Sequence, residues 1–369
     1  MKKINKLKFL KLFVQNKKLL DDSGCVLKLQ ADDVDEFKIG NKYFYKLSDN
    51  SCFKSAQSEL CYNFLNSLPV NNSAVAYRSG LSYLNLFEPH RKGYFFMRLD
   101  VSSFFHSIQE ELLRKCFSNY FKNEYIDEGE KQGLIDSFIL LSTYRIPDTS
   151  PNERFRGKVV LPIGFQSSPV ISNIVFRKID ILIQNFCSSK NIVYSRYADD
   201  MVFSSSSLSK FIHSESFYNE IKYLISIDGF KINKRKTIRS EHTISLNGYI
   251  INSKGVSSKS ADIRISNKKT EIIRKLIHKL DKGVSDEEIL TTLFDFKYTS
   301  KYFKYLPATP EYVEIYCMDQ LNNKITGYRS FLISIIKFHD KYNCVDSLSI
   351  LKYKKYIDIL NAYIRKRVT

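Results

Sequence analysis

The chain has 369 residues, of which 43% are hydrophobic and 14% aromatic, so it can bury a large core and is expected to fold into two or three subdomains. Lysine and arginine outnumber the acidic residues 57 to 39, and the formal net charge of +18 favours a polyanionic partner, above all nucleic acid. No apolar run approaches the roughly 18 to 20 residues of a spanning helix, and lysines interrupt the N-terminal stretch where a signal peptide would be apolar, which predicts a cytoplasmic protein without a membrane partner.

The predicted elements change in character along the chain. Residues 1–94 mix short helical and extended stretches. Over residues 95–255, apolar strand-like runs alternate with helical segments, which indicates a mixed α+β region. Residues 256–369 are rich in lysine and arginine and show helical apolar spacing near 267–281, 286–305, 310–341 and 345–366. This last region is therefore predicted to be an all-helical, basic subdomain.

The first candidate functional residue is Asp100. The run Tyr94–Leu99 is compact and apolar, which predicts a buried strand that ends at this carboxylate. A helical segment is predicted over 108–116, after a short connection. A carboxylate at the end of a buried strand is a common position for a metal ligand, although the position alone is not decisive.

A loop with glycine and proline follows at Leu161–Asn173. Gly164 allows the backbone to approach a ligand closely, and Ser168-Pro169 suits the start of a helix. Free amides at such a start can face a phosphate or a base pair. Taken alone, the same pattern fits a loop that leads into a core helix.

Adjacent acids occupy a predicted hairpin at Asp199 and Asp200. Strand-like runs lie on both sides, at 192–194 and 201–203, so the acids are expected in the turn. Like charges at such a turn are costly, and a divalent cation would offset that cost. An ordinary acidic turn is the alternative, since Ala31-Asp32-Asp33 repeats the tripeptide in a polar context. Together with Asp100, however, the pair could hold two Mg²⁺ ions, with Mn²⁺ as the alternative ion.

In this order the stretches resemble the palm motifs of reverse transcriptases. Leu99–Phe105 resembles the first catalytic motif, and Gly164–Asn173 resembles the Gly-x-x-x-Ser-Pro-x-x-Ser-Asn segment of bacterial members. Tyr197–Asp200 is similar to the catalytic hairpin. Gly229–Thr237 resembles the motif that follows, and Leu246–Tyr249 resembles the hairpin that grips the primer. The likeness extends over roughly residues 75 to 255.

The resemblance implies an α+β right-hand polymerase fold. Residues 1–94 would form an N-terminal extension and fingers, residues 95–255 a palm with an antiparallel sheet and inserted fingers elements, and residues 256–369 a helical basic thumb. Asp100 and Asp199 are implied as metal ligands, with the main-chain carbonyl of Val101 as a further ligand. Asp200 is implied as a supporting acid of the metal site. Lys236 would protonate or steady the pyrophosphate, although a surface lysine is the common alternative.

Substrate and nucleic-acid contacts are also implied. Phe105 corresponds to the aromatic gate that excludes a 2′-hydroxyl and so selects dNTPs, and core packing beside Phe104 is the alternative. The residues implied in nucleotide binding are Arg78, Phe105, Gly164, Phe165 and Gln166. The residues implied in nucleic-acid binding are Leu246, Asn247, Gly248, Lys268, Lys269, Arg274 and Lys275. For each of these basic side chains alone, a solvated helix face is the alternative.

Among reverse transcriptases, the chain most resembles the stand-alone, defence-associated (abortive-infection-like) bacterial group, which is related to retron and group II intron enzymes. Segments 85–90 and 246–248 depart from the retron pattern. The resemblance implies a bacterial RNA-directed DNA polymerase that makes DNA from a dedicated non-coding RNA, in antiviral (anti-phage) defence. Its partners would be that RNA, the DNA product and dNTPs, with a second copy of the chain or a second polymerase subunit as further partners.

Three alternatives stay open at this point. Ile163 stands where many relatives have glutamine, which leaves room for template-independent or protein-primed synthesis. A retron-type reverse transcriptase is the second alternative. A catalytically idle RNA-binding scaffold is the third, because a fold alone does not establish activity.

Overall fold

The computed structural model describes residues 2–206, 210–253, 261–296 and 309–368. The predicted boundary at 255/256 and the predicted helical residues 297–305 lie outside these ranges. In the described part of the chain, every helix is too short or too polar to span a bilayer.

Helices form where the apolar residues recur at three- and four-residue spacing. The helices are α1 (Lys6–Phe13), α2 (Phe53–Asn63), α3 (Glu110–Phe117), α4 (Leu134–Ser142), α5 (Ser168–Ser188), α6 (Glu215–Ser226), α7 (Asn267–Asp281), α8 (Asp286–Phe294), α9 (Pro310–Tyr342) and α10 (Ser347–Val368). α5 starts as predicted at Ser168, with Pro169 in its first turn. Its buried face includes Ile171, Val175 and Ile179, which is the apolar stripe of a core helix.

The strands are short, with two to six residues each. The strands are β1 (Val34–Ile39), β2 (Lys42–Leu47), β3 (Phe95–Asp100), β4 (Tyr144–Arg145), β5 (Val159–Val160), β6 (Val193–Tyr197), β7 (Asp200–Ser205), β8 (Ile238–Glu241), β9 (Thr243–Leu246), β10 (Tyr249–Asn252) and β11 (Asp262–Ile265). The predicted strand before Asp100 and the predicted hairpin that carries Asp199 and Asp200 are both confirmed.

The central sheet has the strand order β6-β7-β3-β8. β6 and β7 are antiparallel, and their last pair joins Tyr197 to Asp200 across the turn. β3 is buried along nearly its whole length, which fits its continuous apolar sequence. α5 packs against β6, α3 and α6. Because β7 lies next to β3 and the amide of Val101 donates to the Asp199 carbonyl, the end of β3 and the β6–β7 turn lie side by side.

The chain divides into two compact units. The first comprises Met1–Leu86, Met97–Ser204 and Ser209–Arg239, and it contains the antiparallel β1–β2 hairpin and helices α1–α6.

The second unit comprises Phe87–Phe96, Ser205–Leu208 and Ser240–Thr369. It holds a sheet of order β11-β10-β9 and the helices α7–α10, of which α9 packs against α8 and α10. The α+β class and the helical C-terminal segments at 267–281 and 310–341 are confirmed, whereas the predicted three-part domain division stays a prediction.

Candidate active site

A cavity of about 890 Å³ lies in the first unit, above the end of β3. Its wall combines carboxylates, basic side chains and aromatic rings, among them Asp100, Asp199, Lys42, Lys236, Tyr77 and Phe105. A volume of this size accommodates a nucleotide. Acids, bases and rings from distant parts of the sequence therefore converge on one space.

Asp100 is fixed by the strands on both sides of it. Asp100 is only 3% exposed. Its main-chain carbonyl accepts a 2.7 Å hydrogen bond from the amide of Asn233. The amide of the following residue, Val101, donates to the Asp199 carbonyl at 2.9 Å. Lys236 Nζ donates to Asp100 Oδ2 at 2.8 Å. The predicted juxtaposition of Asp100, Asp199 and Lys236 is thus present in the structure.

Asp199 lies in the β6–β7 turn with about a quarter of its side chain exposed, at 26%. Lys42 Nζ, from the β1–β2 hairpin, lies 3.5 Å from Asp199 Oδ2. The turn residue Ala198 has φ of +54°, in the left-handed region that side chains with a Cβ rarely adopt. Tyr77 and Ser103, which also line the cavity, have φ of +60° and +49°. Left-handed backbone at residues other than glycine tends to cluster at functional sites.

Asp200 points away from this cavity toward Arg98. Asp200 Oδ1 accepts hydrogen bonds from Arg98 Nε at 3.0 Å and from its Nη2 at 2.7 Å. Burial raises the pKa of Asp200, and the carboxylates of Asp199 and Asp100 act in the same direction, while Arg98 opposes them. A pairing of this kind suits a supporting acid, and direct metal binding by Asp200 stays a prediction.

The carboxylates of the cavity fit a magnesium ion whose coordination shell is completed by a substrate. Within the described residues, no three acidic, histidine or cysteine side chains form a closed metal cage. Asp100 and Asp199 do share the cavity, and Mg²⁺ typically takes one or two carboxylates together with phosphate oxygens and water. Asp100 and Asp199 would hold such an ion, and a bound triphosphate would complete its coordination shell. Metal binding by these carboxylates and by the carbonyl of Val101 stays a prediction.

The two adjacent phenylalanines have different environments. Phe104 borders the cavity but is only 3% exposed and packs against the rings of Phe176 and Phe230, so most of its ring lies in the core. Phe105 lines the cavity, and its ring centroid lies 6.3 Å from that of Tyr77. The role of Phe105 as a sugar gate stays a prediction. Burial, reinforced by Asp199, raises the pKa of Tyr77 to about 12, so its phenol stays protonated.

The other predicted nucleotide-binding residues are not among the described residues that line the cavity. Gly164 has φ of +117° and touches the main chain of Tyr45, while Phe165 is buried. Gln166 Oε1 accepts from Ser58 Oγ at 2.8 Å, and Arg78 Nη1 donates to the Ala74 carbonyl at 3.0 Å. Their contacts with nucleotide stay predictions, and Gly164 has a structural role in addition.

The predicted primer hairpin forms a tight turn in the second unit. Leu246 pairs with Tyr249, and the turn residues Asn247 and Gly248 have φ of +49° and +87°. The stem of Lys269 lies against Gly248, and its ammonium group lies 5.6 Å from the ring centroid of Tyr328. Small turn residues thus leave room for a lysine beside the hairpin.

The remaining predicted basic residues lie on α7. Lys268 is exposed, and Arg274 makes two hydrogen bonds to Glu271, of 2.9 and 2.6 Å. Lys275 Nζ lies 3.9 Å from the same carboxylate. Arg274 and Lys275 therefore share one acid, and nucleic-acid contact by this exposed surface stays a prediction.

Several cavity residues were not predicted from the sequence, among them three basic side chains. Lys42 and Arg154 both line the cavity, and so does His106, which is 7% exposed. Burial, with Arg154 contributing, lowers the pKa of His106 to about 4, so its ring is neutral near pH 7. Its Nε2 has no hydrogen-bond partner within the described residues. The alternating pattern of β2 could have indicated Lys42, but no local pattern marks the other two.

A strand-end carboxylate beside an acidic hairpin turn, with the helix α5 behind the sheet, is the palm arrangement of right-hand polymerases. The family model for reverse transcriptase (RNA-dependent DNA polymerase) matches residues 38–251, more than half of the chain. The chain therefore belongs to the reverse transcriptase family, and the predicted fold class is confirmed.

Curated relatives include retron enzymes. Retron Ec83 reverse transcriptase from Escherichia coli is 33% identical over 136 residues, which are 37% of this chain and 40% of that protein. Retron Ec86 reverse transcriptase from the same organism is 27% identical over 63% of this chain and 64% of that protein. Each match thus spans less than two thirds of the relative. These relatives confirm the predicted relation to retron reverse transcriptases.

Among solved structures, telomerase from Candida albicans aligns over 98% of this chain and 66% of that chain, with 12% identity and a TM-score of 0.43.

Proposed function

We propose that the protein is an RNA-directed DNA polymerase. The observation that carries this proposal is the convergence of Asp100 and Asp199 on one cavity that Phe105 also lines. Carboxylates that can bind a metal, next to an aromatic ring that can read a sugar, are what nucleotidyl transfer from a dNTP requires. Membership of the reverse transcriptase family supports the same activity.

The side chains of this protein would act by binding and positioning. Lys42 lies 3.5 Å from Asp199 and Lys236 lies 2.8 Å from Asp100. Both ammonium groups can turn to the phosphates of a bound nucleotide. Lys236 can also give a proton to the departing pyrophosphate. The ring of Phe105 would leave no room for a 2′-hydroxyl. Bound Mg²⁺, or Mn²⁺ in its place, supplies charge neutralisation at the attacking and leaving oxygens.

Primer extension on an RNA template tests the proposal. Purified protein is given an annealed primer, dNTPs and Mg²⁺, and the wild type is expected to extend the primer. Asp199→Asn should reduce the rate at least about 1,000-fold, since the metal site loses a charged ligand. The matched control is Asp32→Asn, because Ala31–Asp33 repeats the Ala-Asp-Asp sequence as an exposed turn outside the cavity. Equal extension by Asp199→Asn and wild type would refute the metal assignment.

A second candidate, template-independent or protein-primed synthesis, is favoured by one feature. Ile163 lines the cavity and offers no polar group to a nascent base pair. Sequencing the product separates the two functions: DNA complementary to the supplied RNA supports templated synthesis, whereas a homopolymer made without RNA supports the second candidate.

We further propose that the template is a dedicated non-coding RNA and that the product serves antiviral defence. Both ideas rest on the resemblance to bacterial defence-associated and retron enzymes. RNA and DNA that copurify with the protein from its host should contain one dominant, complementary pair. Phage plating on cells with wild-type protein should be lower than on cells with Asp199→Asn, and equal plating would refute the defence role.

A further inference from the structure

The peptide that carries Asp199 is held on both sides by hydrogen bonds. The carbonyl of Ala198 accepts a 2.9 Å bond from Arg196 Nη1, and the carbonyl of Asp199 accepts a 2.9 Å bond from the amide of Val101. The left-handed backbone of Ala198 costs about 1 to 2 kcal/mol for a residue with a Cβ. The turn therefore adopts this conformation only while neighbouring groups hold it.

Arg196 itself is fully buried and rigidly fixed. It is 0% exposed, as is Asp180 on α5. Arg196 Nε and Nη2 donate to the two Asp180 carboxylate oxygens at 2.9 and 2.7 Å. Tyr194 Oη donates to Asp180 Oδ1 at 2.7 Å, and the guanidinium carbon lies 4.6 Å from the ring centroid of Phe176. This arrangement leaves the guanidinium little freedom to leave the Ala198 carbonyl.

Stability alone does not account for this ion pair. Removing two charges from water costs several kcal/mol per ion, and uncharged side chains of similar volume often stabilise a core equally well. What uncharged side chains would not supply is a planar fork whose third nitrogen reaches the turn. The geometry of Arg196 thus points to a role in placing the turn.

The same guanidinium also contacts a second wall of the cavity. Arg196 Nη2 donates to Asn173 Oδ1 at 3.2 Å, and Asn173 Nδ2 donates to the carbonyl of Ala76 at 2.7 Å. Ala76 directly precedes Tyr77, whose ring lines the cavity. The main chain of Arg196 bonds to the same segment, at the Ser73 carbonyl and the Val75 amide.

We propose that Arg196 is a positioning residue that sets the place of Asp199 relative to Asp100 and couples the catalytic turn to the Tyr77 wall. The catalytic part of this inference rests on the proposed polymerase function. The placement of the turn does not depend on that function and can be measured without it.

The decisive variant is the double substitution Arg196→Met with Asp180→Asn. It removes both buried charges together, keeps an acceptor for Tyr194, and removes the bond to Ala198. Arg196→Lys is the companion variant, since it retains the charge opposite Asp180 but lacks the fork. The matched control is Arg239→Met with Glu215→Gln, an exposed ion pair of 2.7 Å in the same unit.

Hydrogen exchange, thermal melting and steady-state kinetics are measured on all four proteins. In both Arg196 variants, amides at residues 197–201 should exchange at least about tenfold faster, while exchange in the rest of α5 and β6 stays near that of the wild type. kcat should fall about 10- to 100-fold with the dNTP KM changed less than about twofold, because misplacement of about 1 Å can cost that much. The control pair should change neither quantity.

Exchange of the turn at the wild-type rate in both variants would overturn the inference. So would exchange that rises evenly along α5 and β6 while kcat per folded molecule is unchanged, since that result describes a purely structural pair. If the wild type incorporates no dNTP, the proposed function fails, and the exchange measurement alone then decides the role of Arg196.

Discussion

Replacement of Gly164 by alanine offers a sharp test of how the fold supports the cavity. A Cβ at this position would lie 2.5 Å from the carbonyl oxygen of Tyr45, which is well inside van der Waals contact. The φ of +117° adds backbone strain of about 1 to 3 kcal/mol. The amide of Tyr45 also donates to the Ile163 carbonyl at 2.8 Å, and moving the strand weakens this bond by about 1 kcal/mol. Gly164→Ala should therefore lower the free energy of unfolding by about 2 to 4 kcal/mol.

Urea unfolding followed by circular dichroism measures this loss, which suits a chain without tryptophan. The matched control is Gly229→Ala, because Gly229 also has positive φ, +83°, but an added Cβ would meet nothing within 4 Å. The control should lose only the conformational part, about 1 kcal/mol. A Gly164→Ala loss within about 0.5 kcal/mol of the control loss would show that close approach to Tyr45 is not what requires glycine.

Three further substitutions test the cavity. His106→Phe should reduce the loss of stability at acid pH. An unfolded histidine has a pKa near 6.5, whereas folded His106 has a pKa of about 4, so protonation favours the unfolded wild type. Between pH 7 and pH 5, the wild type should therefore lose about 2 kcal/mol more free energy of unfolding than the variant in urea unfolding. Equal losses would contradict the burial of this ring. Phe105→Ala should reduce the preference for dNTPs over rNTPs in single-nucleotide extension by roughly 10- to 100-fold, and an unchanged ratio would remove Phe105 as the gate. Arg98→Met should destabilise the protein by about 2 to 3 kcal/mol in chelator at pH 8, and by less at pH 5, because protonation relieves the unpaired Asp200; a loss that grows toward pH 5 would contradict the pairing.

Local sequence patterns predicted the parts of the site that depend on neighbours in the chain. Each of these parts is encoded within about ten residues: the apolar run before Asp100, the paired strands around Asp199, and the helix start at Ser168-Pro169. The order of these motifs then indicated the family. For such elements, periodicity and turn chemistry carry most of the information.

Contacts between distant segments were not predictable in the same way. Gly164 was interpreted as room for a ligand, whereas the space that a Cβ would need is taken by the main chain of Tyr45, more than a hundred residues earlier. Arg196 stands only three positions before Asp199 in the sequence, but its carboxylate partner is Asp180 inside the core. Such pairs are set by how helices and strands pack, and a single sequence carries no local pattern for them.

The left-handed conformations of Tyr77, Ser103 and Ala198 have a consequence for protein engineering. Glycine adopts this backbone without strain, so a search for heat-resistant variants would tend to select glycine at these positions. The added stability would come from residues that line the cavity or directly precede Asp199, and the selected enzymes would have a less rigid site. Stabilising substitutions are better placed in helices such as α10, which contribute none of the described residues in the wall of the cavity.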